Sequence, residues 1–445
     1  MASENIAAIS TSPVASGVAV IRISGDSPLA IAQKMFRPVG KTSVCDFTPN
    51  VMYAGEIQAQ NFTDFGMCVY FKAPKSFTGE DTVEFHCHGG IAITRGILSK
   101  ILSLGARLAT NGEFTKRAFM NGKLSLSSAE GLIDMINSES ESGVKAGYYL
   151  YREKLLKKVN AIQDKLTDSL SQIDVDMDFP EEDVGETATP LIKQDLIDCI
   201  SEVDELLSTY RLGRVLKNGV NVGIVGKPNT GKSSTLNALL NYDKAIVSSV
   251  AGTTRDIVEG SIDIKGVRFN FSDTAGIRDS SDVVEEIGVS LSKRILEQSD
   301  LVMFIADADD ITEDDEKIYS LVKDKNLLFV VNKTDKSDYK DDRADVYISA
   351  LNKVNIDELR ERIYDKTALG GIDLNGDFLC EERHFYALSR AKEKLLCALN
   401  SIENVTLDLL AIDVKDAWDA IGEISGKTAT EEIINNIFSK FCVGK

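Results

Sequence analysis

The chain has no run of about 18 or more consecutive apolar residues, the length needed to span a bilayer, so no membrane span is expected. Its first ten residues, MASENIAAIS, carry neither the basic start nor the apolar run of an export signal, which points to the cytoplasm. Cysteine is sparse and odd in number: seven, at Cys45, Cys68, Cys87, Cys199, Cys380, Cys397 and Cys442, without C-x-x-C spacing. That scatter argues against a disulfide framework or a zinc knuckle and leaves reduced thiols. His86 and His88 alternate on one expected strand, but no third ligand stands at metal-site spacing, so no metal is read there. Positive charge is in deficit, with 50 Lys and Arg against 69 Asp and Glu and a net charge of −19. Such a field repels a polyanion at long range, so RNA contact must be local or delivered by a partner.

A chain of 445 residues exceeds what one core usually supports, and its texture changes along its length. Residues 1–116 read as a small α+β domain, with β-branched segments GVAVIRIS, GMCVYF and TVEFHCHG and one helical stretch, ITRGILSKILSLGARL. In residues 117–215 apolar positions recur at three- and four-residue spacing, predicting helices interrupted by the acidic loop DFPEEDVGE. Between 216 and 374 buried strands alternate with helices, as expected of a parallel sheet. Residues 375–445 return to amphipathic helix, which suggests two helical segments packed together around an inserted α/β domain.

Gly226-Lys227-Pro228-Asn229-Thr230-Gly231-Lys232-Ser233 fits the phosphate-binding P-loop and lies between the apolar strand VNVGIV and the helix STLNALL. Asn229, Thr230 and Gly231 would present backbone N–H groups to the phosphates, with Lys232 adding charge, Ser233 reaching Mg²⁺ and Ser234 following. Asp273-Thr274-Ala275-Gly276 ends the strand FNFS, where a carboxylate can reach Mg²⁺ through water and Gly276 can approach the γ-phosphate. Asn332-Lys333-Thr334-Asp335 ends the strand LLFVV, and the Asp335 carboxylate can accept from the N–H pair of guanine, which adenine lacks. Thr254, in the segment GTTRD between these motifs, suits a switch residue that carries a hydroxyl to Mg²⁺. Ile277 stands where a water-orienting Gln is found in Ras-like proteins, so another group must orient the attacking water. These residues point to GTP binding and hydrolysis.

Beyond these motifs, VIRISG, SFTGEDTVEFHCHGG, GEFTKRAFMNGKLSLSSAE, DFPEED and the terminal FCVGK occur in an order that resembles the MnmE (TrmE) family of bacterial tRNA-modification GTPases. The resemblance implies an N-terminal α+β domain that dimerises and binds 5-formyl- or 5,10-methylene-tetrahydrofolate, a discontinuous helical domain, and an inserted Ras-like P-loop GTPase domain. It implies an FAD-dependent MnmG-like partner, with FAD on that partner, and aminomethyl-type modification at C5 of the wobble uridine of certain tRNAs. For K⁺ it implies Asn229, Ser248, Val250 and Thr253, within a nucleotide-contacting segment Ser248, Ser249, Val250, Ala251, Gly252, Thr253 and Thr254. Ser349 and Ala350 would contact the guanine. Glu285 matches the family's catalytic glutamate, and the folate contacts fall on Arg22, Glu84, Lys123 and Lys445. Cys442 is a further catalytic candidate, with a buried packing thiol as its rival. The sequence departs from the family at SPVASGVAV and at Cys87, both near the expected folate pocket. A ribosome-assembly switch of the Era or Der type is the alternative class, but those proteins carry basic RNA-binding modules, whereas this chain ends in acidic helices. A folate carrier with vestigial GTPase activity is disfavoured by the intact Lys232, Asp273, Asn332 and Asp335.

Overall fold

A computed structural model describes residues 4–178, 185–240, 260–273, 297–367 and 377–445. The chain separates into two compact units, one of Met1–Ile133, Tyr149–Asp204 and Tyr386–Lys445, the other of Asp134–Tyr148 and Glu205–Phe385.

The first unit holds a 7-stranded sheet of β1 (Ile6–Ile9), β2 (Ser16–Gly25), β3 (Phe36–Pro38), β4 (Met52–Gln58), β5 (Thr63–Phe71), β6 (Asp81–Gly89) and β7 (Arg107–Leu108), in the order β3-β4-β5-β6-β2-β1-β7. Its pairs are antiparallel except β1 with β7. Period-two alternation sends Ile21, Ile23, Val83, Phe85 and Cys87 into a core under the helices Pro28–Met35 and Ile91–Ser103. The intervening residues Arg22, Glu84 and His86 therefore share the opposite face. Helices Lys154–Asp178 and Leu407–Ser425 pack closely in the same unit: Gln163 Nε2 donates to Trp418 O at 3.0 Å, and a Cβ on Gly422 would lie 2.9 Å from that nitrogen. The two helical stretches far apart in sequence thus meet, and the last residues close against the segment after β7 through an isolated Asn111–Val443 bridge.

The second unit holds a 6-stranded sheet of β8 (Val220–Val225), β9 (Gly260–Ile264), β10 (Val267–Asp273), β11 (Leu301–Asp307), β12 (Leu327–Asn332) and β13 (Val346–Tyr347), in the order β13-β12-β11-β8-β10-β9. All neighbours are parallel except β9 with β10. β11 is buried along its whole length, as a parallel strand covered on both faces requires, which explains its unbroken apolar run. This unit extends beyond 216–374. It takes in 134–148, from the sequence-defined first helical segment, because Ser142 and Glu139 bond to the β9–β10 hairpin and Ser142 and Asp134 bond to the helix Tyr210–Asn218.

Candidate nucleotide site and a polar cluster on the first sheet

The C-terminal ends of β8, β11 and β12 converge, which is where an open parallel sheet binds its ligand. β8 runs into a loop and then the helix Lys232–Leu240, and a helix N-terminus is a favourable place for an anion such as phosphate. Two positions admit only glycine. A Cβ on Gly226 would lie 2.3 Å from Ile305 O, and one on Gly231, at φ +91, would lie 2.3 Å from Asn332 Nδ2. Asn229 is left-handed at φ +65, a conformation that asparagine tolerates better than most residues. Lys232 Nζ donates to Gly226 O at 2.9 Å and Lys227 O at 2.8 Å, so the cation is stowed inside the loop it would serve.

The base loop is locked to the phosphate loop. Asn332, 2% exposed, donates from Nδ2 to Thr230 O at 2.9 Å and accepts at Oδ1 from Ala350 N at 3.1 Å. Lys333 Nζ donates to Asn229 O at 2.7 Å and pairs with Asp307 at 2.5 Å. Ser349 Oγ donates to Asp335 Oδ1 at 2.5 Å, and that bond holds the Asp335 carboxyl below the usual carboxylate range. Asp335 is thus kept an anion, the form that accepts from a guanine edge. Lys227 ties the loop to the start of the helix Glu313–Val322, pairing with Asp315 at 2.8 Å and donating to Thr312 Oγ1 at 3.0 Å. The motif reading missed Asp307 and Asp315. Each ends a strand or starts a helix, and sequence patterning alone does not say which lysine it meets.

Asp273 closes β10 opposite Ile224 of β8, so the backbone of that motif reaches the same edge. Ser248, Ser249, Val250, Ala251, Gly252, Thr253, Thr254, Thr274, Ala275, Gly276, Ile277 and Glu285 lie outside the described residues. Ser233 and Ser234 occupy the first turn of the P-loop helix.

In the other unit, the β2–β6 register sets Arg22 directly opposite Glu84, and Arg22 Nε meets Glu84 Oε1 at 2.7 Å. His86 Nε2 lies 3.3 Å from Glu84 Oε2. Burial alone would raise the Glu84 carboxyl, but His86 and the Arg22 guanidinium outweigh it and hold it below its ordinary range. The Arg22 guanidinium also rests 5.4 Å from the Phe77 ring and 5.6 Å from Phe114. Phe77 belongs to the same loop that holds Lys123, whose Nζ donates to Pro74 O at 3.0 Å. A buried network sets that loop: Ser24 Oγ is 2.7 Å from Thr78 Oγ1 and 2.8 Å from Glu80 Oε2, and Arg117 pairs with Glu80 at 3.1 Å.

The C-terminus joins this region by backbone. Gly112 N donates to Cys442 O at 3.4 Å, and a Cβ on Gly444, at φ +102, would lie 2.4 Å from Ile9 O. Ile9 is one register position from the residue paired with Arg22. Cys442 is exposed, not a packing thiol. Arg22 and Glu84 are therefore in direct contact, Lys123 bonds to the loop that also carries Phe77, and Lys445 follows Gly444, which packs on Ile9. His86 and Phe77 are additions that the sequence reading did not assign to this cluster; the Glu84-x-His86 spacing on a strand was the available signal. His88 turns to Asp64, with Nδ1 2.6 Å from Oδ1.

Two family models match. The MnmE helical domain covers residues 126–442, and the GTP-binding protein TrmE N-terminus covers residues 5–123. Among curated relatives, the tRNA modification GTPase MnmE of Thermoanaerobacter pseudethanolicus is 39% identical, with 100% of both chains covered. That of Clostridioides difficile is 37% identical over 99% of each chain. A crystal structure of Aquifex aeolicus Era bound to GDP.AlF4- covers 40% of this chain and 67% of its own, at 32% identity and a TM-score of 0.28. Full-length identity at this level, together with both family models and a phosphate loop locked to a guanine-type loop, places the chain in the MnmE (TrmE) family of tRNA-modification GTPases.

Proposed function

We propose that the chain binds and hydrolyses GTP in the service of wobble-uridine modification. The observation that carries the nucleotide reading is Asn332, which joins the phosphate and base loops in one buried contact set. Asp335, held ionised by Ser349, selects guanine. Lys232 leaves its two carbonyl partners to meet the β/γ-phosphates, and Ser233 offers a hydroxyl oxygen of the kind a hard divalent cation takes. When bound, Mg²⁺ (through Ser233 and Thr254) and K⁺ (through Asn229, Ser248, Val250 and Thr253) supply positive charge against the phosphates. Glu285 takes the water-orienting part that Ile277 cannot.

In the same proposal the Arg22–Glu84 cluster with Lys123 and Lys445 holds 5-formyl- or 5,10-methylene-tetrahydrofolate. Glu84 accepts from the pterin N–H edge through lone pairs not used by Arg22 and His86. Cys442 stands exposed beside Lys445 as a candidate nucleophile. The chain acts as a homodimer with an FAD-dependent MnmG-like partner, in a heterotetramer that brings in the tRNA and installs a (carboxymethyl)aminomethyl group at C5 of the wobble uridine. Among the described residues no helix is long and apolar enough to cross a membrane.

The test is GTP turnover by the purified chain in K⁺ and in Na⁺ at equal ionic strength, with Glu285→Ala alongside. Selective activity in K⁺, lost in the variant with GTP binding kept, is the expected result. Equal rates in the two salts would remove the K⁺ site, and normal turnover by the variant would remove Glu285. Isothermal titration with 5-formyltetrahydrofolate, with no heat of binding, would remove the folate pocket.

A further inference from the structure

β9 and β10 form one antiparallel hairpin. In sequence, the switch segment ending near Thr254 leads into its first strand, and the Asp273 motif closes its second. Its tight turn uses Lys265 at φ +54 and Gly266 at φ +81. That turn is held from outside the α/β fold. Ser142 N donates to Gly266 O at 3.0 Å, and Arg268 pairs with Glu139 at 2.6 Å. Glu139 and Ser142 lie at the joint between the helices Leu126–Asn137 and Glu141–Tyr151.

A second set of contacts fixes the same joint to the chain on either side of the sheet. Lys217, at the end of the helix Tyr210–Asn218, meets Asp134 Oδ1 at 2.8 Å and also pairs with Glu381. All three side chains are mostly buried, at 21%, 14% and 15% exposure. Ser142 Oγ donates to Leu216 O at 2.9 Å. Gly219, at φ +84, lets the backbone of this helix end approach β10, since a Cβ there would lie 2.6 Å from Arg268 O.

The two contact sets differ in kind. The Lys217 cluster is desolvated, and separating it would strand charge away from water, so it behaves as a fixed anchor. The Arg268–Glu139 pair is more open, at 29% and 37% exposure, and costs less desolvation to break and re-form than the Lys217 cluster. We propose that residues 134–148 are a relay in which Arg268 and Glu139 are positioning residues that couple the β9–β10 hairpin, and hence the state of the nucleotide site, to the helix joint. The segment continues in sequence through Ile133 and Tyr149 into the other compact unit, so a shift at the joint has a covalent route onward. This proposal rests on the GTP reading given above.

The test is hydrogen exchange on the full chain with GDP and with GDP plus aluminium fluoride in K⁺, following the amides of 134–148 and of the P-loop separately, with GTP turnover measured in parallel. In the unaltered chain, exchange in 134–148 changes severalfold between the two states. In Glu139→Gln and in Arg268→Gln that change disappears and kcat falls, while KM and P-loop protection stay within about twofold. The exchanged pair, Glu139→Arg with Arg268→Glu, restores both, which a loss of general stability would not allow. An unaltered chain with a protected P-loop but no response in 134–148 overturns the relay, as do single variants that respond normally. Absence of P-loop protection by any nucleotide overturns the GTP reading, and the relay with it.

Discussion

Asn332 spends both ends of its side-chain amide on backbone groups of two other loops, so its removal is expected to damage nucleotide binding broadly. Truncation in Asn332→Ala deletes the hydrogen bonds to Thr230 O and from Ala350 N. Thr230 is 1% exposed and Ala350 7%, so water cannot readily replace either partner. Two lost bonds at about 1 kcal/mol each, with two orphaned backbone groups at about 1–3 kcal/mol each, bound the damage at roughly 2–5 kcal/mol once overlap between the terms is allowed for. In the free chain the two loops relax apart and recover part of that cost, whereas the bound state needs both in place. Taking about 2 kcal/mol as the difference gives roughly a 30-fold loss of affinity. In the proposed reading Asn332 organises the site and Asp335 reads the base, so the loss is expected to be nearly the same for GTP, GDP and inosine triphosphate. The assay is titration with each nucleotide, with circular dichroism to verify the fold. A change below about threefold (less than roughly 0.7 kcal/mol), or a loss confined to the guanine nucleotides, would refute the reasoning.

Asp335→Asn replaces an acceptor of two N–H groups by a donor and acceptor, so GTP affinity should fall by about 2–3 kcal/mol while xanthosine triphosphate, with a carbonyl in place of the exocyclic amine, binds better than GTP in competition titrations. The Asp134 carboxyl is pushed up to about 8, first by burial and then by Glu381 beside it, so the folded chain holds a proton that the unfolded chain has released. Stability of the nucleotide-side unit should therefore fall as pH rises from the ordinary carboxylate range to about 8, by at most about 1.4 kcal/mol per pH unit. Urea unfolding across that window reads the slope, and Glu381→Gln should flatten it. Gly444→Ala places a Cβ 2.4 Å from Ile9 O at a positive φ, which should cost about 1–3 kcal/mol, undock the C-terminal residues and weaken titration with 5-formyltetrahydrofolate, while GTP turnover stays unchanged.

The parallel character of the nucleotide-side sheet was readable because parallel strands buried on both faces become unbroken apolar runs such as LVMFIAD, whereas the strand order and the antiparallel β9–β10 edge were not. Residues 226–233 and the turn from Asn332 to Asp335 stood out in the sequence as candidate phosphate and base contacts because phosphate and guanine each demand particular residue types at short, fixed spacing, and the structure brings those two loops together. The position of 134–148 was not readable. Its amphipathic pattern reports that one face is covered, not what covers it, and only the contacts of Glu139 and Ser142 with the hairpin decided the matter. The Glu84 environment divides in the same way. Alternation put Glu84 and His86 on one strand face, but the β2–β6 register alone set Arg22 across from them.

What the amino-acid order determined by itself is local and periodic: which residues form strands, which loop can cradle a phosphate, which carboxylate can select a base. What the tertiary structure decided is long-range pairing of polar side chains, such as Lys217 with Asp134 and Glu381, and the meeting of the terminal FCVGK with Gly112 and Ile9. A lysine or aspartate carries no periodic signal that names its partner. Partners brought together by chain closure over hundreds of residues are chosen by the packing of whole units, which no short window of sequence contains.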